Sequence, residues 1–216
     1  MTSWIAPTRQ AWHAVAELVL AGPQLRRSET IRLRVVPGGF ATVADPTLRV
    51  VGGSLSFASP DSGDVSVPID GRTCHDLAAA AGVDAGAPDI YHDGTGADPA
   101  DPLRLDPRAL DALAEAFAHG DAALRAFAPS STPVLWPEHF DVSVTIDEVN
   151  YGVSPGDSYL DEPYAYVGPF QSRSGAFWNA PFGAARTWRQ IGTVAEAAAF
   201  FSDARAHVTT PARRTS

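Results

Sequence analysis

Between residues 31 and 69, three short runs alternate apolar with polar side chains and are separated by turns bearing glycine or proline. In TIRLRVVPGGFAT, Ile31, Leu33 and Val35 alternate with Arg32 and Arg34 before Pro37-Gly38-Gly39 reverses the chain; TLRVVGGSLSF (47–57) and DVSVPI (64–69) follow. A period of two marks strands with one dry and one wet face, and connections this short leave no room for the crossover that a parallel pair requires. The segment is therefore constrained to an antiparallel meander.

Helices flank it. TRQAWHAVAELVLA (8–21) carries Trp12, Val15, Leu18 and Val19 at helical spacing, with Thr8 as N-cap and Gly22-Pro23 as the stop. A second helix is expected from Thr73 to Ala81, ending at Gly82. Asp106-Pro107 starts a third, with Leu110, Leu113, Ala114 and Phe117 on one side; Gly120 marks a break or kink before Ala123, Leu124 and Phe127. Strands at 140–147 and 164–169 follow, and Thr193-x-x-Glu196 forms a capping box at the head of a last helix. Strands that cluster instead of alternating with helices give an α+β fold: a mainly antiparallel sheet with helices packed on one face, shared by two halves of similar content. A single domain spans 1–216, with an N-terminal half at about 1–82, an irregular connection at about 83–105 and a C-terminal half at about 106–216. No internal sequence repeat is found.

Composition narrows the function. All sixteen basic residues are arginine, which excludes Schiff-base chemistry, pyridoxal phosphate attachment and a Walker A lysine. A net charge of −9 disfavours nucleic acid as a partner, and Arg26, Arg27, Arg32, Arg34 and Arg49 read as solvated strand and loop positions. No apolar run is long enough to span a membrane. The lone Cys74, the absence of a basic and then apolar leader, and the ordinary hydrophobic share point to a cytoplasmic protein without disulfides. Cys74 itself reads as a small buried hydrophobe. No cofactor and no metal are expected. The acidic loop with Asp89, Tyr91, His92, Asp93, Asp98 and Asp101 lacks calcium-loop spacing.

Gly152-Val153-Ser154-Pro155-Gly156 matches G-x-S-x-G literally. In a nucleophile elbow the N–H after the serine helps form the oxyanion hole, and here that residue is proline, which has none. Ser154 is therefore read as part of a turn. Downstream, Asp203 and His207 read as an exposed pair on the last helix. A stronger constellation is Glu138-His139-Phe140-Asp141: on a strand over 140–147, His139 and Asp141 would share a face with Ser143 and Thr145, and the pair could serve general acid or base chemistry. No third ligand with metal spacing accompanies it.

Eleven of the chain's twenty aromatic residues fall between Trp136 and Trp188, many in loops rich in Gly, Pro, Asn and Asp. Rigid rings beside amides and carboxylates are the usual wall of a small-molecule pocket. The run WPEHFDVSVTIDEVNYGVSPGDSYLDEPYAYVGPF, with FWNAPFGA after it, resembles the C-terminal signature of an uncharacterised family of actinobacterial proteins, a domain of unknown function; the likeness extends over most of the chain. That resemblance implies no activity and supplies no catalytic residue.

The expectation is a small-organic-ligand-binding protein whose ligand sits near Tyr151, Ser154, Asp157, Tyr164, Tyr166, Trp178 and Asn179. Two alternatives stay open: an enzyme with general acid or base chemistry, with or without the assistance of a metal, centred on Glu138, His139 and Asp141, and a protein-interaction module whose aromatic patch is an interface or a homo-oligomer contact.

Overall fold

The computed structural model describes residues 4–59 and 62–209. Helix α1 (Ala6–Ala14) passes without a break through a π-helical stretch, Val15–Ala21, into α2 (Gly22–Ser28). Strands β1 (Leu33–Val36), β2 (Gly39–Thr42), β3 (Leu48–Val51), β4 (Ser54–Ser59) and β5 (Gly63–Pro68) follow as a meander, closed by α3 (Cys74–Ala80). The second half repeats the plan. Helix α4 (Pro107–Phe127) precedes β6 (Val134–Trp136), β7 (Asp141–Ile146), β8 (Val149–Ser154), β9 (Tyr164–Pro169) and β10 (Ala184–Thr187), and α5 (Trp188–Ile191) and α6 (Val194–Thr209) end it.

The two meanders make one ten-stranded antiparallel sheet, ordered β10-β9-β8-β7-β6-β1-β2-β3-β4-β5. They meet where β1 pairs with β6 at Leu33 and Leu135. The α+β class, the antiparallel sheet and its sharing by two halves are thus as expected. Helix α4 lies on one face of the sheet, against β7, β8, β1 and β2. The core crosses the seam: Phe40 meets Trp12 at 5.4 Å and Phe140 at 5.7 Å edge-on, and Phe117 meets Phe140 at 5.0 Å. On the opposite face of the first half, Arg34, Ala41, Arg49, Ser56 and Ser66 stand in one cross-strand row, so Arg34 and Arg49 are solvated strand positions as expected, whereas Arg26 and Arg27 lie in the last turn of α2 and not in a strand or loop.

Two sequence expectations fail at the first helix. It begins at Ala6 with Pro7 in its first turn, so Thr8 is inside the helix, and its hydroxyl accepts the Asp106 N–H at 2.8 Å. Nor is Gly22-Pro23 a stop. In the wider π register Gly22 N–H bonds the Glu17 carbonyl, so the carbonyl of Leu18 would next face Pro23, which has no N–H. That carbonyl instead accepts from Gly86 N–H at 2.9 Å. The connection after α3 is thereby docked on the helix, and the Thr95 N–H donates to Glu17 Oε2 at 2.8 Å. The whole stretch from Val15 to Ala21 is buried. Gly120 likewise does not interrupt α4; a Cβ there would lie 2.7 Å from Val142 Cγ1 and 2.8 Å from Val153 Cβ, so the glycine permits close helix–sheet approach.

With the duplicated plan in view, an alignment emerges. Ala11, Ala14, Ala16, Glu17 and Gly22 match Ala109, Ala112, Ala114, Glu115 and Gly120. The same offset, 98 residues, relates Thr8 to Asp106, which are bonded to each other.

Candidate functional site

Alternation along the second-half strands sends Val142, Val144, Val149, Tyr151, Val153, Ala165 and Val167 into the buried core and leaves Asp141, Ser143, Asn150, Gly152, Ser154, Tyr164 and Tyr166 on the other side of the sheet. There a cleft of about 880 Å³ opens. Its floor is the outer face of β7, β8 and β9; its walls are Arg9 and His13 of α1, the Asp93–Thr95 stretch of the connection, the turn before β7, and the loops carrying Tyr159 and Phe182.

Register explains the floor. Ser143, Gly152 and Tyr166 are cross-strand neighbours. A Cβ on Gly152 would come 2.5–2.6 Å from the Tyr166 ring, so only glycine on β8 lets that ring lie across the strand. The Tyr166 hydroxyl thereby reaches Asp141 Oδ2 on β7 and donates to it. Asp141 is 4% exposed. Burial pushes its carboxyl up to about 6, against the pull of the Tyr166 hydrogen bond and of His139. Burial and the neighbouring Asp141 together hold the Tyr166 phenol well above its ordinary range, so the proton stays on the phenol. Asp141 Oδ1 is buried with no hydrogen-bond partner.

A second phenol–carboxyl pair stands beside the first. Tyr164 donates to Asp157 Oδ2 at 2.5 Å, and Asp157 Oδ1 accepts the N–H of Tyr159 at 2.8 Å and of Leu160 at 3.1 Å. Asp157 thus shapes the loop that brings Tyr159 to the cleft. Tyr159, Tyr164 and Tyr166 surround Phe182, with ring centroids 5.0, 6.5 and 6.1 Å from it. Tyr159 and Phe182 remain partly exposed at the mouth.

The turn over 137–140 corrects the expected geometry of the His139–Asp141 pair. The strand starts at Asp141, and Phe140 has φ +51°, which swings Phe140 into the core and takes His139 off the strand. His139 Nε2 lies 3.4 Å from Glu138 Oε1; the hydrogen bond to Asp141 comes from Tyr166 instead. Glu138, His139 and Asp141 nevertheless all line the cleft. Facing them, His13 stacks on Phe140 at 5.0 Å, and its Nε2 lies 2.6 Å from the Pro137 carbonyl. A carbonyl only accepts, so Nε2 carries the hydrogen. Burial, aided by His139 and Arg9, lowers His13 to about 4.

Of the ligand-facing residues expected from sequence, the structure brings Ser154, Asp157, Tyr164 and Tyr166 to the cleft. Tyr151 alternates onto the core side, against Phe127 and Phe201. Trp178 packs beside Phe177 at the edge of the core, and Asn179 clamps both backbone groups of Ala185; neither lines the cleft. Ser154 Oγ accepts Gly156 N–H at 3.1 Å, the turn read from its following proline. Cys74 is buried, with its thiol pushed up to about 12. Sequence reasoning missed Arg9 and His13; their spacing of four on α1, off the stripe of Trp12 and Val15, was the available signal. Among the described residues no group of three or more His, Cys, Asp or Glu is placed to hold a metal ion, and no helix is long and apolar enough to cross a membrane. No family model, no curated protein and no solved structure matches the chain.

Proposed function

We propose that the chain binds a small organic ligand in the cleft over β7, β8 and β9. One observation carries the reading: Gly152 is cut back so that Tyr166 lies across β8 and meets the buried Asp141, which sets a polar pair into the floor of a hollow walled on one side by the rings of Tyr159, Tyr164 and Phe182. Pockets of this size with an aromatic wall and a few converging polar groups are the usual form of small-molecule sites. Native mass spectrometry of the purified full chain, after incubation with a metabolite mixture, is expected to retain a bound compound, and Phe182→Ala is expected to lose it with unfolding little changed, because that ring is partly exposed. The reading fails if no compound is retained from any mixture, or if Phe182→Ala and other ring-wall variants retain it fully.

A second reading, an enzyme, is favoured by Asp141: a carboxyl raised to about 6 can give and take a proton near neutrality. In that case the retained compound changes mass on incubation with the unaltered chain and does not do so with Asp141→Asn.

A further inference from the structure

Resting on the ligand-binding reading above, we propose that the ligand is a small zwitterion whose amino group is received by Asp141 and whose carboxylate is received by Arg9. The reasoning starts from which polar groups of the cleft are already engaged. Glu138 faces His139, Asp157 accepts three hydrogen bonds, Ser154 takes the Gly156 N–H, and His13 is tied to Pro137. Two buried atoms of the lining are left over: Arg9 Nη1 and Asp141 Oδ1, neither with a hydrogen-bond partner. Buried polar atoms without partners are uncommon and costly. These two are also opposite in kind, a donor on a fixed cation and an acceptor on a carboxyl.

The Arg9 side chain is 12% exposed, and its ion pair, to Asp161 at 3.6 Å, is made through Nη2. Its Nη1 lies against Gly156, where φ is +103° and a Cβ would come within 2.6 Å of it. The backbone is thus pared back beneath the guanidinium, as it is beneath Tyr166. Val142 pairs with Val153 and Ser154 with Tyr164, so Asp141 stands next to the end of β8, from which Gly156 continues. Neighbouring strands lie about 4.8 Å apart, which places both groups within the span of one small molecule. A purely cationic ligand would leave Arg9 Nη1 without a partner, and a purely anionic one would leave Asp141 Oδ1 so. A molecule with both ends satisfies both, and the exposed faces of Tyr159 and Phe182 accept its apolar body.

Isothermal titration calorimetry on the full chain tests this with phenylalanine and ε-aminocaproate, each beside its singly charged relatives: phenethylamine and hydrocinnamate for the first, hexylamine and hexanoate for the second. At least one zwitterion is expected to bind about tenfold or more tightly than both of its relatives, the difference one charge-assisted hydrogen bond supplies. Arg9→Gln should then reduce it to the level of the amine, and Asp141→Asn to the level of the acid. If for each zwitterion an amine or an acid relative binds as tightly, the inference is overturned and the ligand-binding reading is left standing. Failure of all these probes, while a compound is still retained in mass spectrometry, also overturns it; failure of both assays removes the two together. If either variant does not fold, the comparison among probes on the unaltered chain decides.

Discussion

Asp141 and His13 face the same cleft with opposite displacements, and their contributions to stability oppose each other over one pH window. Asp141 has a folded value of about 6, above its ordinary 3.8. The folded state therefore holds its proton more firmly, and its contribution, present at low pH, is lost as pH rises through about 6. His13 is lowered from 6.5 to about 4, so its contribution is present above 6.5 and is lost as pH falls towards 4. Around them stand Arg9, Glu138, His139 and the Tyr166 phenol. Urea unfolding between pH 4 and 6.5 is expected to show that Asp141→Asn steepens the loss of stability on acidification and that His13→Gln flattens it; variants that move in the same direction would contradict this. At Gly152, alanine should cost about 1–3 kcal/mol by overpacking, and much less in a Tyr166→Ala background, because the clash is with that ring. The cluster Glu138, His139 and Asp141 was legible from sequence as chemistry, but its geometry was not, since it depends on a positive φ at Phe140 that no period reveals. Tyr151 and Tyr166 look alike in sequence; which strand face each occupies separates core from cleft.

Alternation located β1, β5, β7 and β9 directly, and Asp106 marked a helix start, its side chain accepting the N–H groups of Arg108 and Ala109; the helix expected from Thr73 starts one residue later, with Thr73 as its cap. The shorter strands β6 and β10 gave no period, because three or four residues cannot establish one; β8 does alternate, Val149, Tyr151 and Val153 against Asn150, Gly152 and Ser154, but the turn residues Pro155 and Gly156 that follow made the segment read as loop. The segment 47–57, read as one interrupted strand, is the hairpin of β3 and β4 turned at Gly52-Gly53. The largest misreading was Gly22-Pro23. Proline ends an α-helix by withholding an N–H; here the π register moves the deprived carbonyl to Leu18, and Gly86 supplies the missing donor. This makes the helix and the connection one unit. In Gly22→Ala the new Cβ would lie 1.7 Å from the Gly86 carbonyl oxygen, so the connection is expected to lift. Hydrogen exchange at the Gly86 and Thr95 amides should accelerate about tenfold or more, with a smaller effect in α4. Unchanged exchange at both amides would show that the docking does not depend on that contact.

Across the whole molecule, each half supplies a helix and a five-stranded meander, but neither has its own interior. Trp12 and Phe40 from the first half interlock with Phe117 and Phe140 from the second. Leu33 and Leu135 are both fully buried at the seam between β1 and β6. Leu33→Ala or Leu135→Ala should each cost about 2–5 kcal/mol. Denaturant unfolding followed by tryptophan fluorescence and by circular dichroism is expected to stay a single coincident transition in both variants; separate midpoints for the two probes would show independent halves. The repeated plan escaped the sequence reading because its matches are five positions scattered around two helices, of which only Gly22 and Gly120 are held by close packing, while the strands share only a pattern of polarity. The cleft itself is not repeated: the first-half row holds Arg34, Arg49 and two serines where the second half holds tyrosines and a carboxyl.

Arg9 and His13 come from the first helix of one half, whereas Asp141, Tyr164 and Tyr166 come from strands of the other. A polypeptide severed in the connection would therefore divide the lining of the cleft between two fragments, and, on the proposed function, capture of a ligand would become a reporter of their reassociation.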